Sequence, residues 1–130
     1  MRRRREQPRF FVLFMRYWLP LLAYITTIIF LSAQPYLRPP LQFHESDKLY
    51  HVLEYLGLGV LLARAAHASA ASWRPVTVAL ASLLGGILVG TSDEYIQSFV
   101  PGRDSSGFDL LADTAGLALA QVLYRAFIRD

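Results

Sequence analysis

The chain has 130 residues, of which 54% are hydrophobic and only 18% are charged. That charged fraction lies below the roughly 25% of soluble domains, which argues against a water-soluble fold and against intrinsic disorder. The chain contains no cysteine, so disulfide scaffolds, zinc ribbons and thiol nucleophiles are excluded. The net charge is +3, and six of the thirteen Lys and Arg residues lie within the first sixteen positions.

Two uncharged runs predict membrane-spanning helices, because a bilayer requires about 20 predominantly apolar residues per helix. One run has 21 residues and lies between Arg16 and Arg38, and the other is the 18-residue stretch from Pro75 to Ser92. Two further segments have polar first turns and apolar bodies, and we expect them to span with their polar ends buried among the other helices. The chain is therefore predicted to be all-α, with four transmembrane helices near 17–36, 47–64, 75–98 and 109–127. Two spans with two amphipathic interfacial segments remain the alternative.

The distribution of basic residues predicts the orientation. If both termini are cytoplasmic, ten of the thirteen Lys and Arg residues lie on the inner side and three, Arg38, Lys48 and Arg103, on the outer side. Residues 1–16 would then be a basic cytoplasmic segment, and 17–130 a single domain in the cytoplasmic membrane. The N-terminal arginines lie next to a span, which favours a topology anchor over a nucleic-acid contact, so the lipid bilayer is the expected partner. A cleaved signal peptide is less favoured, because Leu31 stands where a small residue is required.

Polar side chains gather at the predicted outer end of the bundle. On a helix, one stripe of about 120° holds the polar residues of 47–55, and charged groups inside a membrane are expected to face the bundle interior. Ser46 and Ser106 are predicted to cap the helices that follow them, with Asp109 completing a capping box. Small residues at four-residue spacing, such as Gly86 and Gly90, predict close helix packing. The candidate ligand-binding residues are Asp47, Lys48, His51, Tyr55, Glu94, Gln97, Arg103, Asp109 and Asp113.

Three segments carry a family resemblance: DKLYHVLEYLG at 47–57, DEYIQSFVPGR at 93–103 and FDLLADTAG at 108–116. In this order and spacing they resemble the signatures of the VanZ-like membrane proteins, a family named for a teicoplanin-resistance protein. Position 113 is Asn in many members and Asp here. The resemblance implies a small multi-pass membrane protein of the cell envelope with a link to glycopeptide resistance, and it assigns no reaction.

Three functional interpretations stay open. In the first, Lys48 and Arg103 bind a phosphate or carboxylate of a lipid-linked or peptidoglycan-related molecule. In the second, His51 and Glu94 are the acid–base pair of an intramembrane enzyme. In the third, Lys48 and Arg103 neutralise the neighbouring carboxylates in a structural ion-paired plug. An ion pathway is less favoured, because the inner halves of the helices hold almost no polar residues.

A metal site is not the expected interpretation, although oxygen and nitrogen donors are present. The donors show no standard ligand spacing, and His51 and Glu54 reverse the Glu-x-x-His order of carboxylate-bridged bundles. We therefore expect no metal and no cofactor. The possible oxygen and nitrogen donors to a metal are Asp47, His51, Glu94, Asp109 and Asp113.

Overall fold

A computed structural model describes residues 9–38, 40, 42–43 and 45–128. Over these residues the regular structure is entirely helical, without a strand. The basic run Arg2–Arg5, His44 and Arg129, on which part of the predicted charge distribution rests, lie outside the described residues.

Four helices are long and apolar enough to cross a membrane: α1 (Arg9–Ser32), α2 (Ser46–Ser69), α3 (Pro75–Gln97) and α4 (Gly107–Ile128). They contain 22 to 24 residues, which corresponds to about 33–36 Å at the helical rise, against about 30 Å of hydrocarbon. The all-α architecture with four candidate spans is confirmed.

The helices are longer than the predicted spans. Within the described residues α1 already includes Arg9, well before residue 17, and α2 continues to Ser69. Arginine is a good helix former, so Arg16 and Arg64 do not end the helices in which they lie. A π-helical turn over Phe14–Trp18 comes just before Pro20 in α1, as expected where proline removes a donor from the helical ladder.

The most extensive helix contact is between α2 and α4. A Cβ atom on Gly116 would lie 2.3 Å from the carbonyl oxygen of Val52 and 3.0 Å from the amide nitrogen of Leu56. Glycine is therefore required at this position for the backbones to approach so closely. Gly59 makes a similar approach from the other helix, where a Cβ would lie 2.5 Å from that of Ala120.

The surface of the bundle is apolar, as a lipid environment requires. Large side chains on every helix point outward, among them Phe30 (62% exposed), Leu53 (55%), Leu88 (69%) and Val122 (63%). Such a surface is incompatible with water and suits contact with lipid chains.

Both predicted caps differ in detail. Ser106 does cap α4, accepting a hydrogen bond from the Phe108 amide at 3.1 Å. However, the Asp109 side chain binds Lys48 and does not complete a capping box. Ser46 is the first residue of α2, which starts after Glu45 in a left-handed conformation (φ 64°), so Ser46 is not the N-cap.

Candidate functional site

The four helices bring most of their polar side chains to one end of the bundle, where α1 and α3 end and α2 and α4 begin. We call this the polar end. Because α2 and α4 run in parallel here, Lys48 lies beside Asp109, and one turn deeper His51 lies beside Asp113. The polar residues therefore form two layers.

The shallow layer, which we call the rim cluster, consists of Asp47, Lys48 and Asp109. The Lys48 Nζ donates to Asp109 Oδ1 at 2.6 Å and to Asp47 Oδ2 at 2.5 Å. The Asp109 side chain is only 6% exposed, whereas that of Asp47 is 58% exposed. The ammonium group thus compensates a buried carboxylate that would otherwise be costly to bury.

The deeper layer, which we call the deep cluster, consists of His51, Asp93, Glu94 and Asp113. The His51 Nδ1–H donates to Asp113 Oδ1 at 2.7 Å. The four residues each offer a nitrogen or oxygen atom, and these four atoms all lie within 4.8 Å of one another. Asp113 is fully buried and Asp93 is 1% exposed.

Neighbouring side chains fix the carboxylate of Asp93. The Ser32 hydroxyl donates to Asp93 Oδ1 from the end of α1, and the Tyr55 hydroxyl donates to Asp93 Oδ2 at 3.4 Å. The Gln97 amide donates to Asp93 Oδ2 at 3.4 Å and to the Ser32 oxygen at 3.2 Å. This network joins α1, α2 and α3 around one carboxylate.

Glu94 is held by the loop before α4. Its Oε2 accepts hydrogen bonds from the Ser105 hydroxyl and from the Ser106 amide, both at 3.0 Å. Its other oxygen, Oε1, is buried without a hydrogen-bond partner, as is Oδ2 of Asp113. The deep cluster therefore contains two buried carboxylate oxygens to which no described residue donates a hydrogen bond.

A cavity of about 770 Å³ opens beside these clusters. Its lining includes the polar side chains of His51, Glu54 and Arg103 and the apolar side chains of Leu31 and Leu53. No carboxylate of the described residues pairs with the Arg103 guanidinium. The remaining lining residues are Tyr24, Ser32, Leu37, Arg38, Pro40, Asp47, Tyr50, Gln97, Gly102, Asp104 and Asp109.

The nine sequence-predicted residues all lie at the polar end, but not in one layer. Tyr55, Glu94 and Asp113 lie behind the cavity wall, and Lys48 faces a separate, shallower recess. The other five line the cavity: Asp47, His51, Gln97, Arg103 and Asp109. Their binding roles stay predictions.

Sequence reasoning missed three contributors: Asp93, Ser32 and Glu54. Asp93 is the first residue of the second family-like segment, and this position is the sequence feature that could have identified it. Glu54 belongs to the polar stripe of α2, which already placed it beside His51. Ser32 gave no signal, because its contact with Asp93 depends on which helices are neighbours.

The helices and the polar end define a multi-pass α-helical membrane protein with buried ionisable groups at one end. A family model described as VanZ/LLP1 matches residues 7–128. The chain belongs to the VanZ/LLP1 family, as its three short segments indicated. No curated protein and no solved structure matches the chain significantly.

Proposed function

We propose that the polar end binds the anionic headgroup of a membrane amphiphile, such as a lipid-linked or peptidoglycan-related precursor of the cell envelope. The observation that carries this proposal is a cavity lined both by Arg103, which pairs with no carboxylate of the described residues, and by apolar side chains such as Leu31 and Leu53. A guanidinium group suits phosphate and carboxylate oxygens, which it contacts through two parallel hydrogen bonds. Apolar side chains suit the first carbons of a lipid chain.

The depth of the cavity supports an amphiphile over a free solute. The cavity lies among the ends of spanning helices, at the level where lipid headgroups meet hydrocarbon. Leu31, Leu37 and Leu53 contribute to its lining, and Leu53 is 55% exposed toward the surrounding lipid. A ligand with a charged head and an apolar tail satisfies both kinds of side chain at once.

The residues have separable roles in this proposal. Arg103 contacts the anionic group directly, with Arg38 on the same cavity. Lys48 forms ion pairs with Asp47 and Asp109 and stabilises the rim cluster. Gln97 offers further hydrogen bonds to the headgroup from α3.

The test compares the retention of a polyprenyl phosphate and of the neutral polyprenol by protein purified in mild detergent. We expect retention of the phosphate alone, and an Arg103→Gln variant to bind it about tenfold or more weakly, as befits a charge-assisted contact. Arg74→Gln is the matched control, because Arg74 is exposed at the opposite end of α3. Equal binding by Arg103→Gln and the natural protein would refute the proposal.

The proposed orientation has both termini in the cytoplasm and the polar end facing outward across the cytoplasmic membrane. It rests on the excess of basic residues at the opposite end. Because the chain has no cysteine, single-cysteine variants can report on it directly. A membrane-impermeant maleimide should label Asp104→Cys in intact cells and Ser72→Cys only after lysis; the reverse pattern would overturn the orientation.

A reaction is the second candidate function, and one contact favours it. His51 lies on the cavity wall with the buried Asp113 carboxylate 2.7 Å behind its Nδ1, an arrangement that suits general acid–base catalysis. Glu94 does not line the cavity and is bound to Ser105 and Ser106, so this proposal pairs His51 with Asp113 in place of the predicted Glu94. Turnover of a lipid-linked substrate that His51→Gln abolishes without loss of binding would support catalysis.

The family resemblance extends the proposal to glycopeptide susceptibility. If the bound amphiphile is an envelope precursor, expression of this protein should raise the teicoplanin concentration needed to inhibit a susceptible host, and Arg103→Gln should not. An unchanged inhibitory concentration would refute a role in teicoplanin resistance. Amphiphile binding would not be affected by this result, because the retention experiment tests it separately.

A further inference from the structure

We infer that the deep cluster of His51, Asp93, Glu94 and Asp113 binds one divalent cation of the zinc or manganese class. This inference goes beyond headgroup binding and does not depend on it. It also departs from the expectation drawn from ligand spacing along the sequence, because the four donors come from three different helices.

The geometry of the four donors fits a single ion. The donor atoms lie within 4.8 Å of one another, and ligands on opposite sides of one ion lie about 4–5 Å apart at bonds of 2.0–2.6 Å. The Nδ1 of His51 and Oδ1 of Asp113 are 2.7 Å apart, close to the roughly 3 Å between adjacent ligands of one ion. A cation would take the place of the proton that joins these two groups.

The second observation is that two carboxylate oxygens of the cluster have no hydrogen-bond partner. They are Oε1 of Glu94, which is 9% exposed, and Oδ2 of Asp113, which is 0% exposed. Buried polar atoms in folded proteins almost always have a partner, because an unsatisfied oxygen loses its hydration without compensation. A cation is a partner that both oxygens can share.

Charge balance supports the same conclusion. Three carboxyl groups and one imidazole carry at least two uncompensated negative charges when the acids are ionised, even with a protonated imidazole. Lys48 is paired with the rim cluster, and Arg103 pairs with no carboxylate among the described residues. A divalent cation would compensate this excess negative charge, which is most costly inside an apolar bundle.

The carboxylates are also oriented as metal ligands commonly are. Ser32, Tyr55 and Gln97 donate hydrogen bonds to Asp93, and Ser105 and the Ser106 amide donate to one oxygen of Glu94. Outer-shell donors of this kind fix the direction of a ligand and leave its other lone pairs for the ion. The rim cluster lacks this arrangement, because its lysine already compensates its carboxylates.

The donor set indicates the class of ion. One imidazole with carboxylates suits Zn²⁺, Mn²⁺ or Fe²⁺, whereas Mg²⁺ and Ca²⁺ prefer oxygen ligands alone. The cluster offers no sulfur ligand, which disfavours Cu⁺. Since His51 also lines the cavity, the bound ion would lie directly behind the headgroup site.

The test measures metal binding by the purified full chain without added amphiphile. After chelator treatment and reloading, elemental analysis and titration calorimetry with Zn²⁺, Mn²⁺, Mg²⁺ and Ca²⁺ should show about one equivalent of Zn²⁺ or Mn²⁺. Asp113→Asn and Glu94→Gln should each weaken that binding about 100-fold. Asp104→Asn, which removes an exposed carboxylate outside the cluster, should bind like the natural protein.

A second measurement uses variants outside the cluster and so does not depend on the folding of the ligand variants. Electron spin-echo spectra of bound Mn²⁺ should show a coordinated imidazole nitrogen in the natural protein and in His67→Asn. Failure of the natural protein to bind Zn²⁺ or Mn²⁺, including binding of Mg²⁺ or Ca²⁺ alone, would overturn the inference. So would unchanged binding by Asp113→Asn, lost binding in Asp104→Asn, or a Mn²⁺ spectrum without an imidazole nitrogen. Retention of polyprenyl phosphate by a metal-free protein would leave the headgroup proposal standing on its own.

Discussion

The rim cluster and the deep cluster lie one helical turn apart on α2 and α4, with α3 contributing to the deep cluster alone, and they balance their charges differently. At the rim, one lysine bonds two carboxylates at 2.5 and 2.6 Å, and one of these carboxylates is largely exposed. In the deep layer, three buried carboxyl groups have one imidazole among them, and two of their oxygens lack a partner. In the rim cluster one cation thus bonds both carboxylates, whereas the deep cluster has two carboxylate oxygens without a hydrogen-bond partner among the described residues.

The difference separates the interpretations that the sequence left open. Lys48 behaves as the structural plug requires, since it forms ion pairs with both Asp47 and Asp109 and joins α2 to α4. Arg103 does not, because it faces the cavity and pairs with no carboxylate in the described part of the chain. The structural interpretation thus fits Lys48, whereas Arg103 is left for the proposed binding of a ligand.

The largest expected effect comes from breaking the helix contact that aligns both layers. Gly116→Leu would place a side chain where even a Cβ lies 2.3 Å from the Val52 carbonyl oxygen, so α2 and α4 must separate. We expect a loss of at least about 3 kcal/mol in the free energy of unfolding, measured by denaturant titration in micelles. Gly107→Leu is the matched control, because no atom lies within 4 Å of a Cβ there. Equal stability of the two variants would show that the close approach does not hold the clusters in register.

Asp113→Asn and Asp109→Asn should differ in how their stability responds to metal. With a chelator, Asp113→Asn should be more stable than the natural protein, because it removes one uncompensated buried charge. With Zn²⁺ at a hundredfold excess over the Kd of the natural protein, that protein gains about 2.7 kcal/mol, whereas a variant that binds about 100-fold more weakly gains only about 0.4 kcal/mol, so the order reverses. Asp109→Asn should change stability by the same amount in both conditions. Thermal unfolding of the two variants and the natural protein, with chelator and with Zn²⁺, measures these differences. If Zn²⁺ does not reverse the stability order of Asp113→Asn and the natural protein, the distinction between the layers is wrong.

Lys48→Met tests the rim as a structural element. The variant leaves the Asp109 carboxylate, 6% exposed, without its cation, at an expected cost of about 2 kcal/mol, reduced from a fully buried pair because Lys48 is partly exposed. The double variant Lys48→Met/Asp109→Asn should recover about half of that loss or more. Polyprenyl phosphate binding should change little. If Lys48→Met does not lower stability, or if the variant stays folded but no longer binds polyprenyl phosphate, the rim is a ligand site and not a structural element.

Much of the fold was predictable from the sequence, because helix length and hydropathy are local properties. Four spans follow from helix length and hydropathy. Of the polar first turns, that of α4 buries Asp109 as expected, whereas Asp47 in the first turn of α2 is 58% exposed. The boundaries were less predictable. Arg9 and Arg16 were assigned to a separate segment, yet they extend α1, because a long basic side chain can continue a helix and keep its charge in the interface.

The site was predictable only in part, since its layers depend on helix order. His51, Glu94 and Asp113 were identified from their helix faces, but nothing in the sequence separates them from Lys48 and Asp109. The separation arises because α3 packs against the deep turn and contributes Asp93 there. Helix periodicity assigns residues to faces and does not reveal which faces meet, so Ser32 could not be found.

The smallest expected effect concerns the donors that hold Glu94. Ser105→Ala removes one of two hydrogen bonds to Glu94 Oε2, each 3.0 Å long, and leaves the Ser106 amide in place. The carboxylate should then be less fixed in direction, and affinity for Zn²⁺ should fall by about tenfold. Ser98→Ala is the matched control, because its hydroxyl donates only to the Tyr95 carbonyl at 2.6 Å. Titration calorimetry compares the two variants. If both variants bind Zn²⁺ like the natural protein, the hydrogen bond from Ser105 is not needed to orient Glu94. A tenfold loss of affinity confined to Ser105→Ala would show that this hydrogen bond orients Glu94 for metal binding.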